Sequence, residues 1–249
     1  MNAIAGSAGR LPFDEEALKR GAANVRHPLT RALLVLTLTT GLIDAVSYLG
    51  LGHVFTANMT GNIVLLGFGL AGGTGLPVVA PLVSLGAFLL GAGMGGALVK
   101  RVAGHHPRMV AAALAFEVIV LAVAALVAAV ADVHPGQGSA NVLIALMASA
   151  MGVRNAVVRR IAVPDLTTTV LTMTLTGLAA ESKPAGGNGE GSVRRISAVL
   201  AMLLGALAGA LLLKTSLALP LALAAALALA TGVIYIPAGA RRGRPRRAD

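Results

Sequence analysis

The chain has 249 residues, of which 56% are hydrophobic and only 12% are charged, whereas an average soluble domain has about 25% charged residues. A water-soluble fold cannot cover that much apolar surface, so the composition excludes an ordinary soluble domain and predicts a membrane protein. The net charge of +10 does not predict a nucleic-acid partner, because the basic residues cluster between and beyond the apolar segments, as membrane orientation requires.

Residues 1–30 are predicted to form a cytoplasmic N-terminal segment. Asp14, Glu15 and Glu16 precede Lys19 and Arg20, and no short apolar core with a small-residue cleavage site follows. This pattern argues against a removable signal peptide.

Eight apolar segments follow, and they predict an all-α, polytopic membrane domain over residues 31–238. A transmembrane helix needs about 20 apolar residues to span about 30 Å of hydrocarbon. In chain order the segments lie at residues 31–52, 55–71, 76–99, 109–131, 139–158, 166–180, 196–213 and 216–236. The second and sixth are short for a crossing and begin with polar residues, and the sixth has six threonines in 15 residues.

The distribution of lysine and arginine predicts six crossings rather than eight. If all eight segments cross and the N-terminus is cytoplasmic, seven of the 20 basic residues fall outside. If the second and sixth segments enter and leave on the same side, 19 of the 20 are cytoplasmic and only Lys214 is external. The positive-inside rule therefore favours six transmembrane helices, two re-entrant segments and cytoplasmic termini.

The polar starts of the two short segments indicate how they re-enter. Thr56, Asn58 and Thr60 are candidate N-caps before an apolar run, and Pro164 and Asp165 precede the threonine-rich segment in the order of a helix start. Each segment is therefore predicted to enter the membrane as extended chain and to return as a half-helix. Non-helical backbone at that depth must be surrounded by protein or by a water-filled cavity.

An internal repeat supports the same topology. Residues 89–100 and 203–214 match at seven of twelve positions, and GLIDAV at 41–46 aligns with GVRNAV at 152–157. Three crossings per half require an inverted second half, so two inverted repeats are predicted, at about residues 31–131 and 139–238. The basic tail at residues 239–249 is predicted to be cytoplasmic and to bind anionic lipid headgroups.

Two polar motifs are distinctive: GLIDAVSYLGLGHVFTANMTGNIVLLGFGLA, from residue 41, and MGVRNAVVRRIAVPDLTTTVLTMTLTGLAAES, from residue 151. They resemble the YoaK-like family of bacterial inner-membrane proteins, a domain of unknown function (DUF1275), over about residues 31–235. The resemblance implies a six-span protein of the bacterial inner membrane with no established activity, sometimes suspected of transport. The family is expected to have Gln at position 154, so the resemblance implies no role for Arg154.

Three ionisable residues lie within predicted spans: Asp44, Glu117 and Arg154. Each costs at least about 2.5 kcal/mol at the centre of a membrane helix, so each should face the bundle interior or a wet cavity. An intramembrane pair at Arg154 and the adjacent Asn155, completed by one acid, would only hold helices together. The acid left over would serve proton coupling, with Glu117, near the midplane, as the first candidate and Asp44 as the second.

The polar starts of the half-helices form the predicted binding site. The predicted ligand contacts are Asn58, Thr60 and Asn62 from the second segment and Thr168, Thr169 and Thr172 from the sixth. Two helix N-termini that meet near the midplane would direct free N–H groups and partial positive charge at a polar or anionic solute. The alternative is that these side chains only cap the half-helices and satisfy the broken backbone.

Two GxxxG pairs, Gly91 with Gly95 and Gly205 with Gly209, predict close helix packing, either between the third and seventh segments or in a homo-oligomer. The sequence has no cysteine, no Gly-x-Ser-x-Gly elbow and no phosphate-binding loop. It therefore predicts neither an enzyme nor a cofactor or metal site.

These patterns predict a small secondary transporter or permease in the lipid bilayer, for an unidentified small polar or anionic solute, with a proton as the coupling ion. Two alternatives stay open. One is a passive channel, and the other is a non-transporting scaffold or sensor in which the polar breaks only stabilise the fold.

Overall fold

The computed structural model describes residues 27–73, 75–102, 106–161 and 171–242, with side chains described for all of these except 106–107 and 235–242. Within these ranges the protein is all-helical. Eight α-helices follow one another there: α1 Pro28–Ala45, α2 Met59–Leu70, α3 Val79–Arg101, α4 His106–Val130, α5 Gly138–Ile161, α6 Leu171–Ala180, α7 Ser192–Leu213 and α8 Ala218–Arg242. A π-helical turn, Val46–Gly50, extends α1, and a 3₁₀ turn, Lys183–Ala185, lies between α6 and α7.

Five of these helices are long and apolar enough to cross a membrane, which confirms the prediction of a polytopic helical membrane protein. They are Pro28–Gly50, Val79–Arg101, Arg108–Val130, Gly138–Ile161 and Ser192–Leu213. Helix α8 has 25 residues, which is also enough to span by length.

Helices α2 and α6 are much shorter, with 12 and 10 described residues. At 1.5 Å per residue these lengths are about 18 and 15 Å, less than the hydrocarbon thickness. The predicted sixth segment begins at residue 166, so its first five residues lie outside the described ranges.

A side-chain cap sets the start of α2. Asn58 precedes the helix, and its Oδ1 accepts a hydrogen bond from the Gly61 N–H at 3.4 Å. Of the three candidate caps in the sequence, Asn58 is therefore the one that the structure uses. Thr56 lies two residues earlier, in the non-helical segment of residues 51–58 that leads from α1 into α2.

The helices pack in pairs around one core. α1 crosses α7, α3 crosses α5, and α4 packs against α8, with further contacts between α4 and α5 and between α1 and α8. Helices α1, α4, α5 and α8 each contribute a fully buried side chain to the core, respectively Leu42, Leu121, Met147 and Leu221. α2 packs on α3 and α6 packs on α7, at the edge of the bundle.

Glycines lie where α1 crosses α7 and where α3 crosses α5. They are Gly41 on α1, Gly205 on α7, Gly152 on α5 and Gly91 on α3. A Cβ atom on Gly91 would overlap the backbone oxygen of Ser149, and one on Gly205 would overlap that of Leu38. The GxxxG glycines therefore pack against α5 and α1, not against each other as one sequence alternative had it, because the facing helices offer flat glycine surfaces of their own.

The glycine contacts also give the direction of these helices. One turn beyond Gly91, a Cβ on Gly95 would lie 2.9 Å from the backbone oxygen of Val153, four residues beyond Ser149. α3 and α5 therefore run parallel. α7 and α1 run parallel for the same reason. A Cβ on Gly209, one turn beyond Gly205, would lie 2.9 Å from the backbone oxygen of Leu42, which is four residues beyond Leu38.

The helix directions bring most of the basic residues whose side chains are described to one face of the bundle. A Cβ on Gly50, at the end of α1, would be 2.7 Å from Leu217 in the α7–α8 connection, and one on Gly52 would be 3.4 Å from Pro135 in the α4–α5 connection. These connections define one face, on which Lys214 lies. The other, here called the basic face, holds the described basic residues at the opposite helix ends: Arg31, Lys100, Arg101, Arg108, Arg159, Arg160, Lys183, Arg194 and Arg195.

Replacing Gly91 with alanine should lower the free energy of unfolding by about 1–3 kcal/mol, because the added Cβ would overlap the Ser149 backbone. The matched control is Gly93→Ala on the same helix, where no atom lies within 4 Å of the added Cβ. It should be neutral or stabilise the protein by up to about 1 kcal/mol, because alanine favours helix over glycine. Chemical denaturation in detergent, followed by far-ultraviolet circular dichroism, measures both. Equal effects would contradict the close crossing of α3 and α5.

Candidate functional site

Arg154 of α5 and Glu117 of α4 form an ion pair in the middle of the bundle. Arg154 Nη1 lies 2.9 Å from Glu117 Oε1, and the two side chains are only 2% and 1% exposed. Glu117 is the twelfth of 25 residues in α4, so the pair lies near the middle of that helix. The acid that pairs with Arg154 is thus the residue that sequence analysis had ranked first for proton coupling.

Two threonines of α1 accept two further hydrogen bonds from the guanidinium. Arg154 Nη1 donates to Thr39 Oγ1 at 2.8 Å, and Nη2 donates to Thr40 Oγ1 at 2.6 Å. Each threonine hydroxyl in turn donates to the backbone oxygen of Leu36, at 2.8 and 2.9 Å. The arginine therefore joins three helices, because it bonds α1 and α4 from its place on α5.

Two atoms of this cluster keep unused hydrogen-bonding capacity. Arg154 Nε and Glu117 Oε2 are both buried, and neither has a hydrogen-bond partner among the described residues. Most buried polar atoms in proteins are hydrogen-bonded, so two exceptions on one ion pair call for a physical explanation. They indicate a polar centre that its own side chains do not fully satisfy.

Asp44 lies near this pair and holds the non-helical segment inside the bundle. Its Oδ1 accepts hydrogen bonds from the backbone N–H groups of Thr56, at 3.1 Å, and Ala57, at 3.0 Å. Asp44 is 7% exposed and is close enough to Arg154 to interact with it electrostatically. Two buried acids therefore share one arginine, and in the described part of the chain only Glu117 pairs with it directly.

Asn62 fixes the same segment from the side of α2. Its Nδ2 donates to the Phe55 carbonyl at 2.6 Å, and its Oδ1 accepts from the Phe55 N–H at 2.8 Å. Ser84 of α3 also donates to that carbonyl, at 2.7 Å. Asn62 is fully buried and both ends of its amide are occupied, so the structure gives it a role in holding backbone.

The predicted half-helix site is described only in part. Asn58 and Thr60 are exposed at the start of α2, and Thr172 is exposed on α6. Asn62 is not available to a ligand in this arrangement, because the amide that sequence analysis assigned to ligand binding already satisfies Phe55. Thr168 and Thr169 lie outside the described residues, so their role as ligand contacts stays a prediction, as do those of Asn58, Thr60 and Thr172.

Asn155, which was predicted to belong to the intramembrane pair with Arg154, bonds to the backbone of its own helix. Its Nδ2 donates to the Met151 carbonyl at 2.8 Å, one turn earlier on its own helix. Adjacent residues on a helix point in different directions, so Asn155 and Arg154 face different neighbours.

Sequence reasoning missed Thr39, Thr40 and Ser84, although one signal was present. Thr40 precedes Asp44 by four residues, so the two lie on one face of α1 and form a short polar stripe in an apolar helix. Ser84 is a single serine in an apolar segment, and nothing in its local sequence distinguishes it from an ordinary helix residue.

Replacing Asp44 with alanine should release the non-helical segment, because the Thr56 and Ala57 amides would lose their shared acceptor. Asp44→Asn is the matched control, since its side-chain oxygen can still accept both bonds, although without the extra strength of a charged acceptor. Hydrogen exchange should accelerate at residues 55–57 in Asp44→Ala by roughly tenfold or more, and much less in Asp44→Asn. Equal exchange in both variants would contradict the role given to Asp44.

Removing only one partner of the buried pair should destabilise the protein strongly. Arg154→Gln leaves the Glu117 carboxylate buried without its cation and should cost about 3–5 kcal/mol. Adding Glu117→Gln to that variant should recover much of the loss, because position 117 then no longer carries a buried carboxylate without its cation, although Asp44 still lacks the nearby charge of Arg154. Denaturation of the two single variants and the double variant measures the coupling, and purely additive effects would contradict a direct pair.

Comparison with known proteins agrees with a membrane-embedded chain. Residues 32–234 match the family described as protein of unknown function (DUF1275). The chain is similar to the UPF0700 transmembrane protein YoaK of Bacillus subtilis (strain 168), with 37% identity over 158 residues, which are 63% of this chain and 67% of that protein. No solved structure matches. The family match includes the helices that carry Asp44, Glu117 and Arg154. Together the two matches show that the chain belongs to the DUF1275 family of transmembrane proteins of unknown function.

Proposed function

We propose that the protein is a small secondary transporter of the bacterial inner membrane, and not an enzyme, which carries a small polar or anionic solute with proton coupling. The observation that carries this proposal is the buried cluster of Asp44, Glu117 and Arg154 at the centre of the bundle. Ionisable residues inside membrane helices are costly and commonly serve solute or proton pathways. Here two of their atoms also keep unused hydrogen-bonding capacity.

The arrangement around α2 supports a re-entrant topology. The end of α1 lies on the face of the α4–α5 connection, and α3 begins on that same face because it runs parallel to α5. The chain between them, residues 51–78, therefore leaves one face and returns to it. Asp44 lies six residues before the end of the π-helical turn at Gly50, Ser84 lies five residues after the start of α3, and both bind residues 55–57, which supports a segment that dips below the membrane surface.

The helix contacts support two inverted repeats. If α1–α4 are exchanged with α5–α8, the packed pairs map onto one another: α1–α7 onto α5–α3, α2–α3 onto α6–α7, and α4–α5 onto α8–α1. The glycines follow the same rule, since Gly41 corresponds to Gly152 and Gly205 to Gly91. Repeats of this kind, with discontinuous helices near a central site, occur in many secondary transporters.

The basic face supports an orientation with both termini in the cytoplasm. It holds nine described basic residues at helix ends and connections, whereas the opposite face holds Lys214. Lysine and arginine are enriched in short cytoplasmic connections. The basic tail would then lie beside the anionic headgroups of the inner leaflet.

A non-transporting scaffold is the second candidate, and one observation favours it. Asp44 and Asn62 use their oxygens to bind the backbone of the non-helical segment, as a purely structural polar break would require. The scaffold does not explain why Arg154 Nε and Glu117 Oε2 are buried with no hydrogen-bond partner in the described part of the chain, and the transporter accounts for them as contacts for a solute or proton.

The proposed topology predicts which positions an impermeant thiol reagent reaches. The chain has no cysteine, so Lys100→Cys, Arg160→Cys and Lys214→Cys each provide a single label site. In intact bacterial cells, only the cysteine at position 214 should react with an impermeant maleimide, and all three should react after the membrane is opened. Ready labelling at positions 100 and 160 in intact cells would mean eight crossings.

The proposed activity predicts solute-driven proton movement in proteoliposomes that contain the full chain and an internal pH dye. A panel of inorganic anions, small carboxylates, amino acids and polyols should include at least one solute whose inward gradient acidifies the lumen. Liposomes with an unrelated helical membrane protein control for leakage. If no solute in the panel moves, with or without protons, the scaffold function replaces the transporter.

A further inference from the structure

We propose that Arg154 is the binding residue for a small monovalent anion, and that this anion exchanges places with Glu117, which takes up a proton as it leaves the arginine. The inference rests on the proposed transport function and adds to it the charge of the solute and the identity of the proton carrier. The ligand chemistry is that of a compact oxyanion, such as nitrate or a short carboxylate.

The need for exchange follows from the burial of the pair. Arg154 and Glu117 are 2% and 1% exposed, and an arginine in that environment is strongly unfavourable without a negative partner. Asp44 interacts with Arg154 electrostatically, but its Oδ1 is bonded to the Thr56 and Ala57 amides, so if Glu117 moves away another anion is needed to take its place at the guanidinium. Compact oxyanions and carboxylates suit the guanidinium, because its N–H donors make charge-assisted hydrogen bonds to such oxygens.

The guanidinium can stay in place while its anion changes. It has five N–H donors, and four are directed at Thr39, Thr40, Met151 and Glu117. The bonds to the threonine hydroxyls do not depend on Glu117, because both hydroxyls are anchored to α1 through the Leu36 carbonyl. An incoming anion would receive the donor that Glu117 gives up, and the Nε donor, which no described residue uses, lies in the same cluster.

Glu117 is the carboxylate best arranged to take the proton. Its Oε2 accepts no hydrogen bond in the described structure, so a proton can bind there without breaking one. Asp44, in contrast, uses Oδ1 for two backbone N–H groups. Among the described residues, the charged side chain that contacts Glu117 is Arg154 from α5, which also interacts with Asp44 of α1, and residues 218–234 of α8 contain no charged or titratable side chain.

The charges balance in each step. One anion and one proton enter together: the anion pairs with Arg154, the proton neutralises Glu117, and the net charge of the cluster is unchanged. On release the anion leaves Arg154, Glu117 gives up its proton and the original ion pair forms again. The cycle therefore moves one anion with one proton and carries no net charge across the membrane.

Anion binding can be tested on the purified full chain through its thermal unfolding. Sodium nitrate and sodium formate are compared with sodium gluconate at equal ionic strength, at pH 5 and pH 8. Wild-type protein should be stabilised by the small anions more at pH 5 than at pH 8. Glu117→Gln, which mimics the neutral acid, should be stabilised equally at both pH values. The double variant Glu117→Gln/Arg154→Gln has no cation at the site and should show no difference between the salts.

Two results would overturn the inference: Glu117→Gln gains no stability from either small anion, or the double variant gains as much as wild type. If Glu117→Gln does not fold well enough for this measurement, proton entry into proteoliposomes that contain the wild-type protein tests the inference instead. There a nitrate gradient should drive proton entry at a rate that clamping the membrane voltage does not change, and protein-free liposomes control for leakage. A rate that changes with the membrane voltage would exclude one-to-one cotransport of the anion and the proton.

The test also separates this inference from the transport function. Proton-coupled uptake of a neutral solute, without any anion effect on stability, would leave the transporter standing and remove the anion site. Anion binding that depends on Arg154, without any flux, would retain the site and remove the transporter.

Discussion

Hydrocarbon offers no hydrogen-bond partners, so the backbone N–H and C=O groups of a non-helical segment inside the bundle must be satisfied by other parts of the chain. The non-helical segment after α1 shows how this constraint is met. The backbone of Phe55 is bonded by Asn62 and Ser84, and the amides of Thr56 and Ala57 are bonded by Asp44. Side chains from three helices thus replace the hydrogen bonds that a regular helix would have made within itself.

The same constraint links the glycine crossings to the polar centre. Because glycines allow α3 to touch α5 and α7 to touch α1, backbone meets backbone at both crossings and no large side chain separates these helices. The compact packing that results leaves α1, α4 and α5 close enough for Arg154 to reach both Glu117 and Thr39. An arginine side chain that was not fully surrounded would extend instead to the membrane surface.

The sequence predicted the helices well because hydrophobic length is a local property. All eight apolar segments correspond to helices in the described ranges, and the cap at Asn58 follows from its position before an apolar run. Partner choice is not local. Asp44, Glu117 and Arg154 were found as costly residues, but which acid pairs with the arginine depends on how α4 and α5 are rotated, which hydropathy does not record. Asn62 was assigned to a ligand for a related reason: a buried amide looks the same in sequence whether it binds a solute or the backbone of Phe55.

The glycine crossings carry a mechanical consequence. Helices whose backbones are in direct contact resist sliding past each other, so α1 with α7 forms one stiff unit and α3 with α5 forms a second. Arg154 belongs to the second unit, and its threonine partners belong to the first. The guanidinium therefore links the two stiff units across their interface. In a carrier that opens to alternate sides of the membrane, a change in the hydrogen bonds of Arg154 would determine when the two units can move relative to each other.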